Sequence, residues 1–410
     1  MQSREFPLRL VGAAVLALAF LGTANFAVAQ QFQLLYSFTT YNSSPFGGVI
    51  FDAAGNMYGT TADGGTYANG TVYELSPQVG GGWTQTILHS FDSLDGYEPY
   101  AGLAMDSAGN LYGTTRFGGS ENQGTLFEVT PAGDGTWTET VLHNFGSTTT
   151  DGLQPYSTPY LDSAGNIYGT TIGGGTYRNG TVFELEHIGT RWQEKVLFSF
   201  NPGTTGVGGF WPYAGVIMDS AGNLYGTTEA CQCSYTNQGT VFELKRTGSA
   251  YSERVLHYFY SHTSDGSDPM ASLTFDNKGN LYGTTASGGT GAGTVFELSP
   301  TSSGQWKEKI LHNFTGNPDG SGPMANVIFD THGNLYGTTV GGGTQNWGTV
   351  FELKPAGNGT WTETILYNFK DDGDGDDISS PVTLDALGNI YGTALGSGAY
   401  DGGDVFEIAP

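Results

Sequence analysis

The sequence predicts an all-β fold, a seven-bladed β-propeller whose blades are four-stranded antiparallel sheets. A phrase of the form Gly-Asn-x-Tyr-Gly-Thr or its close variant recurs seven times along the 410 residues. Each unit between two phrases contains four short strand-like segments, which is the composition of a propeller blade. The two ends of the chain also complement each other, because a spare strand precedes the first unit and the last unit lacks one. These three observations together predict a closed ring.

The asparagines of the phrase define the period of the repeat. Successive asparagines are separated by 54, 56, 57, 57, 54 and 55 residues. A period of this size, filled with short strands, indicates a propeller or a similar repeat array. Because the repeat spans nearly the whole chain, we expect residues 30–410 to form a single domain. The seven asparagines are Asn56, Asn110, Asn166, Asn223, Asn280, Asn334 and Asn389.

The unit that runs from residue 99 to residue 145 illustrates the four strands. Between its first two strands, Asp106 opens a tight turn that ends at Asn110. Aspartate can accept hydrogen bonds from the backbone that follows it, and Gly109 tolerates a positive φ angle. A glycine-rich loop separates the second and third strands. The predicted strands are Ala101–Asp106, Leu111–Thr115, Thr125–Val129 and Trp137–Phe145.

The chain termini predict how the ring closes. The segment Phe32–Phe38 aligns with the fourth strands, since Leu35 and Phe38 match Leu142 and Phe145. The last unit ends after its third strand, at residues 404–408. We therefore expect Phe32–Phe38 to pair with that C-terminal strand. This pairing would remove the exposed edges that an open array must protect.

Composition excludes some classes of partner. The formal net charge is −25, from 14 basic and 39 acidic side chains. Phosphate backbones are bound through lysine and arginine, so nucleic acid and anionic membrane are poor partners for this chain. The 66 glycines and the 13% aromatic content fit short strands joined by tight turns.

Residues 1–29 have the pattern of a signal peptide. Arg4 and Arg9 precede an apolar run from Leu10 to Leu21, and the triplet at residues 27–29 reads Ala-Val-Ala. Such a pattern predicts cleavage before Gln30. The alternative is a short membrane anchor, although the run is shorter than the ~20 residues that span a bilayer. We expect an exported, soluble monomer that is secreted, periplasmic or displayed on the cell surface.

The two cysteines, Cys231 and Cys233, leave two readings open. Export permits a disulfide bond, whereas the one-residue gap strains the usual Cα separation. The alternative is that the Cys-Gln-Cys segment is a loop feature of one repeat. Two thiols are too few ligands for a structural metal site.

Repeated carboxylates open the seven turns and recur in the seven third strands. A single active site does not need seven copies of its acid, whereas a blade needs one copy per repeat. We expect these groups to belong to the scaffold and to accept hydrogen bonds from threonines and backbone amides. They are Asp52, Asp106, Asp162, Asp219, Asp276, Asp330 and Asp385, with Glu74, Glu128, Glu184, Glu243, Glu297, Glu352 and Glu407.

Four of the seven histidines share one position of the repeat. Tyrosine or phenylalanine fills that position in the other units, so we expect a packing role for it on the outer strand. No serine, histidine and aspartate set and no three-histidine metal cluster stands out. The histidines are His89, His143, His257 and His312, and the substituents are Tyr36, Phe198 and Tyr367.

An acidic loop at residues 371–377 is a candidate for calcium. It is not an EF-hand, because Asp377 stands where glycine belongs and Thr383 stands where the bidentate glutamate belongs. The alternatives are a solvated loop and a looser calcium site. The candidate ligands are Asp372, Asp374 and Asp376. No other cofactor is expected.

The loops that differ between repeats contain many aromatic residues. The fourth-to-first and second-to-third connections of a propeller emerge on one face, and variable loops on a rigid scaffold are the usual location of function. Aromatic rings flanked by amide side chains suit sugar rings, whereas the alternative is that they only pack the loops. The candidates are Tyr67, Tyr97, Tyr100, Phe117, Tyr156, Tyr177, Trp211, Tyr213, Tyr235 and Trp347, with Tyr400 as a further member.

The repeat set resembles the tandem family called GloVer repeats. The matching motifs are the D-x-x-G-N-(L/I)-Y-G-T-T turn, the G-T-(V/L)-F-E-L strand and the W-x-E-x-x-L-H-x-F strand. The resemblance covers residues 32–410 and implies an exported bacterial repeat protein. It implies no activity, because fold and repeat do not by themselves identify function.

Three functional hypotheses follow. The first is a binding module that uses the variable loop face for a glycan or peptide ligand. The second is an enzyme that acts on a polysaccharide or a lactone, and the third is a surface scaffold without a small ligand. We expect binding ahead of catalysis, because the loop acids available to an enzyme mostly stand in Asp-Gly turns. These acids are Asp95, Glu98, Asp151, Asp265, Asp268 and Asp319.

Overall fold

The structure is a computed structural model that describes residues 30–39, 43–201, 208–231, 238–260, 264–370, 373–396 and 398–409. The predicted signal peptide, residues 1–29, lies outside the described residues, as do Cys233, Tyr235 and Asp372. The described residues form strands and turns, and they offer no helix that could cross a membrane.

Seven four-stranded antiparallel sheets follow one another along the described chain, so the predicted seven-bladed propeller is confirmed. Blades 1 to 7 are numbered by the order of their repeated phrase, and strands run from inner to outer. The inner strands are Ile50–Phe51, Ala104–Met105, Tyr160–Leu161, Ile217–Met218, Thr274–Phe275, Ile328–Phe329 and Thr383–Leu384. The second strands are Met57–Thr61, Leu111–Thr115, Ile167–Gly174, Leu224–Thr228, Leu281–Thr285, Leu335–Thr339 and Ile390–Ala394. The third strands are Thr71–Pro77, Thr125–Pro131, Thr181–Ile188, Thr240–Thr247, Thr294–Pro300, Thr349–Ala356 and Asp401–Ala409. The outer strands are Trp83–Ser90, Trp137–Asn144, Arg191–Ser199, Ala250–Tyr258, Trp306–Asn313, Thr360–Asn368 and, for blade 7, Gln31–Thr39.

Short additional strands extend one end of several blades. Gly152–Pro155 pairs with the second strand of blade 3. Three further pairs join the loop before a blade to the loop between its second and third strands. These pairs are Gly209–Phe210 with Ala230–Cys231, Gly266–Ser267 with Ser287–Gly288, and Gly320–Ser321 with Gly341–Gly342.

The turn between the inner and second strands is a carboxylate-centred hinge. In blade 4, Asp219 accepts hydrogen bonds from the backbone N–H groups of Ala221 and Asn223, both at 2.9 Å, and from the Asn223 side chain at 2.8 Å. The Tyr225 hydroxyl lies 3.1 Å from Asp219 and 3.2 Å from the third-strand Glu243. The scaffold role of both carboxylate sets is therefore confirmed, although tyrosine and asparagine are the side-chain donors to these aspartates.

The threonines that were expected to serve these carboxylates bond elsewhere. The first threonine of each phrase donates to a carbonyl oxygen in the next blade, at 2.7 to 3.2 Å, and so links neighbouring blades. The carbonyl is available because the inner strand is too short to use it in its own ladder. The seven pairs are Thr60 with Ala101, Thr114 with Ser157, Thr170 with Ala214, Thr227 with Ala271, Thr284 with Ala325, Thr338 with Ser380 and Thr393 with Gly47.

The hydrophobic core lies between blades. One cluster joins Tyr58 and Val72 of blade 1 to Leu103 and Phe127 of blade 2, and these side chains are buried. Each of the other six interfaces has a cluster of the same kind. Burial on both faces of a blade explains why the strand sequences do not alternate strictly between apolar and polar residues.

The ring closes as the termini predicted. Gln31–Thr39 pairs antiparallel with Asp401–Ala409, and Phe32 stands opposite Ile408 in this ladder. Phe38 and Val405 of blade 7 pack in one cluster with Met57 of blade 1. The first and last repeats therefore share the same kind of interface as all other neighbours.

The inner strands are shorter than predicted. The predicted segment 101–106 forms a strand only at Ala104–Met105. Residues 101–103 instead belong to the turn that follows Pro99, where the backbone does not form the hydrogen bonds of a β-sheet. That turn reaches the centre of the ring.

Candidate functional site

The two sets of variable loops meet at one end of the propeller, which we call the loop end. The Glu98 N–H donates to the Asn69 carbonyl at 3.1 Å, and the Trp211 N–H donates to the Asn179 carbonyl at 3.1 Å. Each bond joins the loop before one blade to the second-to-third loop of the blade preceding it. These contacts place both loop sets on the same face, as the sequence predicted.

A repeated turn brings each chain segment to the central axis. The residue that begins this turn has a left-handed backbone in every blade, at φ of 50–66°. A buried proline follows in blades 1 to 6, and in blade 2 the Tyr100 N–H donates back to the Glu98 carbonyl at 3.0 Å. The turn therefore displays the second residue after its left-handed position in an equivalent place in every repeat. The left-handed residues are Ser44, Glu98, Gln154, Trp211, Asp268, Gly322 and Asp377.

The displayed side chains surround a cavity of about 290 Å³ at the centre of the loop end, which we call the channel mouth. One such residue comes from each blade. The set is Phe46, Tyr100, Tyr156, Tyr213, Met270, Met324 and Ser379.

The channel mouth is asymmetric because the displayed residues differ in type. Rings from blades 1 to 4 form a continuous arc. The Phe46 and Tyr100 ring centroids lie 4.4 Å apart, edge to face, and Tyr100 stacks on Tyr156 at 5.1 Å. Tyr156 then meets Tyr213 edge to face at 5.4 Å. Such pairs stabilise each other's orientation beyond simple area burial.

The opposite side of the channel mouth is lined by methionines and by polar side chains. Met270 and Met324 from blades 5 and 6 are unbranched side chains that adapt to irregular shapes. Ser379, Asn326 and Asp377 add a hydroxyl, an amide and a carboxyl group to the lining. The cavity therefore faces aromatic rings on one side and hydrogen-bonding groups on the other.

One arginine supports the aromatic arc from outside the cavity. The Arg116 guanidinium carbon lies 4.7 Å from the Phe117 ring centroid, 5.6 Å from that of Tyr100 and 5.7 Å from that of Tyr156. Cation–π contacts of this kind are worth about 0.5–1 kcal/mol at exposed sites. Arg116 also lies 3.7 Å from Glu98, in an ion pair that is about one third exposed. These contacts order the rings of the arc.

The tyrosine hydroxyls of the arc stay neutral at ordinary pH. Burial raises the pKa of Tyr156 to about 12, and electrostatic repulsion from the nearby Tyr100 hydroxyl adds to the shift. Burial also raises the pKa values of Tyr100 and Tyr213. Each hydroxyl can therefore both donate and accept a hydrogen bond.

The structure brings together five of the ten predicted aromatic residues. Tyr100, Tyr156 and Tyr213 line the channel mouth. Tyr97 and Phe117 stack on each other at 5.4 Å beside it, and their backbones form a bridge. Tyr97 and Phe117 therefore pack their own loops, which is the alternative to ligand binding that the sequence left open for the aromatic candidates.

Other predicted aromatic residues lie apart on separate blades. Tyr67, Tyr177, Trp211 and Trp347 belong to blades 1, 3, 4 and 6, and they are 59%, 49%, 44% and 39% exposed. Tyr235 lies outside the described residues. None of these four exposed residues lines the channel mouth. Trp211 is near the arc only in sequence, because it precedes Tyr213 by two residues.

Sequence reasoning missed Phe46, Met270, Met324 and Ser379. The signal was present, because Phe46 and both methionines directly follow a proline as Tyr100 does. Residue type predicts only the aromatic members, whereas the residues that line the channel mouth share one position in the repeat, whatever their type.

The repeated histidines have a second role besides packing. Each ring meets the phenylalanine two residues later edge to face, as for His89 and Phe91 at 4.8 Å, so a packing contact exists. The Nε2 atoms, however, lie beside carboxylates of the following loop and of the next blade. We call these groups the rim clusters: His89, Asp95 and Glu139; His143, Asp151 and Glu194; His257, Asp265 and Glu308; His312, Asp319 and Glu363.

The rim clusters account for most of the loop acids that an enzyme could have used. Asp95, Asp151, Asp265 and Asp319 stand at four different blade interfaces, each within 3.4 Å of a histidine. A glycosidase needs two carboxyl groups roughly 5–10 Å apart around one bond. The distribution of these four acids therefore counts against the enzyme hypothesis.

The acidic loop at residues 371–377 follows the outer strand of blade 6, and its Asp374 contacts Tyr367, which occupies the repeat position of the rim histidines. Asp374 is buried and accepts a hydrogen bond from the Tyr367 hydroxyl at 2.6 Å, and another from the Lys370 N–H at 3.0 Å. Asp376 forms a backbone bridge with Gly396. Within the described ranges, the clusters of three metal-ligating groups do not include Asp374 or Asp376. The calcium hypothesis stays a prediction, since Asp372 lies outside those ranges.

Cys231 is fully buried and disulfide-bonded. Its segment pairs with Gly209–Phe210 at the loop end of blade 4. The disulfide reading is therefore the one that the structure supports.

Comparison with known proteins identifies a family and a similar structure. No curated protein sequence matches the chain. A crystal structure of a protein of unknown function from Dyadobacter fermentans is similar at 11% identity and a TM-score of 0.44, over 93% of this chain and 98% of that chain. A family model described as the Gloeobacter/Verrucomicrobia repeat matches residues 25–157, 107–307 and 291–410. These overlapping matches span nearly the whole chain, and the protein therefore belongs to the Gloeobacter/Verrucomicrobia repeat family.

Proposed function

We propose that this protein is an exported binding module that holds a carbohydrate at the channel mouth. The observation that carries the proposal is the aromatic arc of Phe46, Tyr100, Tyr156 and Tyr213 around a cavity of about 290 Å³. Small-molecule sites are concave, largely apolar and equipped with a few polar groups. The volume lies at the lower end of that class and suits a single sugar ring or one short terminal unit.

The chemistry of the lining supports a sugar over other small ligands. Sugar rings present apolar C–H faces, which contact aromatic rings, and hydroxyl groups, which need directional hydrogen bonds. The arc supplies the rings, and its neutral tyrosine hydroxyls can both donate and accept hydrogen bonds. Ser379, Asn326 and Asp377 supply further hydrogen-bonding groups across the cavity. With a formal charge of −25, the protein also favours neutral or cationic ligands over phosphorylated ones.

Export is part of the proposal and rests on the sequence of residues 1–29. The basic start, the apolar run and the Ala-Val-Ala triplet are the features of a secretory signal. The disulfide bond of Cys231 is compatible with an oxidising compartment. An exported protein meets polysaccharides and their fragments outside the cell.

A glycan array followed by calorimetry tests the proposal. The mature protein should bind a defined subset of glycans, and Tyr156→Ala should weaken that binding at least tenfold by removing the centre of the arc. Tyr156→Phe, which removes only the hydroxyl, should weaken it less. Trp347→Ala is the matched control, because Trp347 is an exposed loop-end aromatic outside the channel mouth.

The outcomes separate the alternatives. An array without binding, or binding that Tyr156→Ala leaves unchanged while the variant melts like the parent, would overturn the proposal. Loss of binding in Trp347→Ala with none in Tyr156→Ala would move the site to the exposed loops. A peptide library run on the same protein tests the other ligand class, and binding confined to peptides would also overturn the carbohydrate assignment.

A further inference from the structure

The four rim clusters combine one histidine and two carboxylates from two adjacent blades. In each cluster the ligand atoms of the three residues lie within 4.8 Å of one another. In the cluster of blades 4 and 5, the His257 Nε2 atom lies 3.2 Å from an Asp265 oxygen and 3.5 Å from a Glu308 oxygen. The cluster of blades 5 and 6 repeats this geometry, with His312 at 3.4 Å from Asp319 and 3.6 Å from Glu363.

Backbone structure holds all three groups in place before any ligand arrives. The histidine follows a bulged leucine in the outer strand, and the glutamate stands in the regular part of the next outer strand. The aspartate is fixed by its own loop, as Asp319 accepts bonds from the Thr315 N–H at 2.9 Å and the Thr315 hydroxyl at 3.1 Å. The site is therefore a feature of the fold and repeats wherever its residues recur.

Each cluster contains a buried oxygen without a hydrogen-bond partner. The Oε1 atoms of Glu139, Glu194, Glu308 and Glu363 are inaccessible to solvent and make no hydrogen bond. A buried carboxylate oxygen without a hydrogen bond is costly, and proteins usually pair such a group with a cation or place it on a metal. Two carboxylates beside one imidazole leave a net negative site, which a divalent cation would neutralise. A shared proton is the competing occupant, since Glu308 and Asp265 are close enough to hydrogen-bond to each other when one is protonated.

In two of the clusters the histidine-to-carboxylate spacing is compatible with a small tetrahedral metal as well as with a direct hydrogen bond. Zinc bonds to histidine nitrogen and carboxylate oxygen at about 2.0–2.1 Å, which places the ligand atoms of a tetrahedral site roughly 3.3–3.4 Å apart. The histidine-to-carboxylate separations in the clusters of His257 and His312 run from 3.2 to 3.6 Å. Calcium would need six to eight oxygen ligands, which three residues with one nitrogen do not supply. Three protein ligands leave a fourth position for water.

At the other three blade interfaces, more than one of the three cluster residues is replaced. Between blades 3 and 4, Phe198 replaces the histidine and the following loop sequence, residues 201–208, has no acid, although Glu253 is retained. Between blades 6 and 7, Tyr367 bonds Asp374, and Phe32 replaces the glutamate and stacks on Tyr367 at 3.8 Å. Between blades 7 and 1, Tyr36 donates to Gln85 at 3.0 Å. Wherever the histidine is absent, at least one carboxylate is absent too.

We propose that the four rim clusters are zinc sites that bridge adjacent blades, joining blade 1 to 2, blade 2 to 3, blade 4 to 5 and blade 5 to 6. Each site takes the histidine Nε2 atom, one aspartate oxygen and one glutamate oxygen, with water in the fourth position. Because four equivalent copies stand at the outer rim and away from the channel mouth, the metal contributes to stability and not to the proposed carbohydrate site.

Metal counting on the untagged protein tests the proposal. After dialysis against zinc and removal of free metal, elemental analysis and native mass spectrometry should show four zinc ions per chain. Glu363→Gln removes one ligand from one cluster and should lower the count to three. His312→Phe, which copies the residue found at Phe198, should do the same. Cobalt substitution should produce visible absorption whose intensity falls by about a quarter in each variant.

Glu253→Gln is the matched control, because it makes the same chemical change at the interface that lacks the histidine and aspartate. Its count should remain four, and calcium titration of the parent should produce no binding at the rim. Chelation should lower the melting temperature of the parent more than that of a variant with all four cluster histidines replaced by phenylalanine. Fewer than one zinc per chain, or an unchanged count in both Glu363→Gln and His312→Phe, would overturn the proposal and leave the shared proton as the occupant.

Discussion

The two ends of the propeller use the same seven repeats in opposite ways. At the hinge end, every repeat places an aspartate, an asparagine and a tyrosine in the same hydrogen-bonded arrangement, as for Asp219, Asn223 and Tyr225. At the loop end, every repeat makes the same left-handed turn, yet the displayed side chain changes from phenylalanine to tyrosine, methionine and serine. The ring is built from the same hydrogen-bonded residues in every repeat. The channel mouth is built from different side chains on the same backbone turn, and for that reason one side of it is aromatic and the other is not.

The largest expected effect comes from filling the space that the repeated phrase keeps empty. Gly283 stands opposite Phe296, and a Cβ atom there would lie 2.6 Å from the ring and 3.0 Å from Leu273. We expect Gly283→Ala to destabilise the fold by about 3 kcal/mol, because overpacking forces side chains out of their rotamers. Denaturant unfolding monitored by intrinsic fluorescence measures the change.

Gly133→Ala is the control for that experiment, since a Cβ at Gly133 meets no atom within 4 Å. Its unfolding midpoint should match that of the parent. Equal stability of both alanine variants would show that the space beside Phe296 is not needed.

The second test removes one hinge. Asp52 accepts hydrogen bonds from the Ala54 and Asn56 N–H groups, the Asn56 side chain and the Tyr58 hydroxyl, at 2.8 to 3.1 Å. We expect Asp52→Ala to cost about 1–2 kcal/mol, because the hinge is only partly buried and water replaces some of these bonds. Trp347→Ala at the loop end should leave the unfolding midpoint unchanged, which contrasts the two ends directly.

The same hinge predicts a pH dependence. Partial burial raises the pKa of Asp52, but hydrogen bonds from Asn56, Tyr58 and Ala54 outweigh it and hold the pKa below its usual value. A lowered pKa in the folded state means that the stabilisation is present above the unfolded pKa near 4 and is lost as pH falls through the folded value. The difference in stability between the parent and Asp52→Ala should therefore shrink in acid. A difference that is constant from pH 7 to pH 3 would contradict this account.

The smallest expected effect lies at the interface between blades 3 and 4, which keeps the glutamate of a rim cluster but lacks its histidine and aspartate. Burial raises the pKa of Glu253 to about 7, and its Oε1 atom has no hydrogen-bond partner. The folded state therefore binds a proton more tightly than the unfolded state, so its stability falls as pH rises from about 4.5 through 7. Glu253→Gln should remove this loss and stabilise the protein by about 1 kcal/mol at pH 8 relative to the parent. Unfolding curves of the parent and of Glu253→Gln at pH 5 and pH 8 measure this change. If the two proteins differ in stability by the same amount at both pH values, Glu253 is not a buried, protonated carboxyl group.

The fold could be predicted almost completely from the sequence, because each blade repeats its own local signals. The Asp106 turn, the second strand Leu111–Thr115 and the closing strand near Phe32–Phe38 were found where the pattern placed them. The inner strand was predicted too long because its first residues bond to the previous blade through threonine. A contact between repeats leaves no local signal in either one.

The candidate site could be predicted only in part. Tyr100, Tyr156 and Tyr213 were named from residue type, but Phe46 and the methionines were missed because their meaning depends on register around the ring. The rim clusters were missed for a related reason. The bulge at Leu142 reverses the direction of the next side chain. Glu139 therefore belongs to the cluster between blades 1 and 2, while His143 of the same strand belongs to the cluster between blades 2 and 3.

The sequence by itself determined the number of blades, the hinge of each blade and the pairing that closes the ring. Those features depend on short segments whose turn residues and strand residues act within one repeat. The tertiary structure alone decided which residues of different repeats meet, both at the channel mouth and in the rim clusters. The physical reason is that ring closure and side-chain direction at bulges bring residues of adjacent repeats together. Such residues lie about fifty positions apart in the chain, as His89 and Glu139 do, and no local pattern encodes their contact.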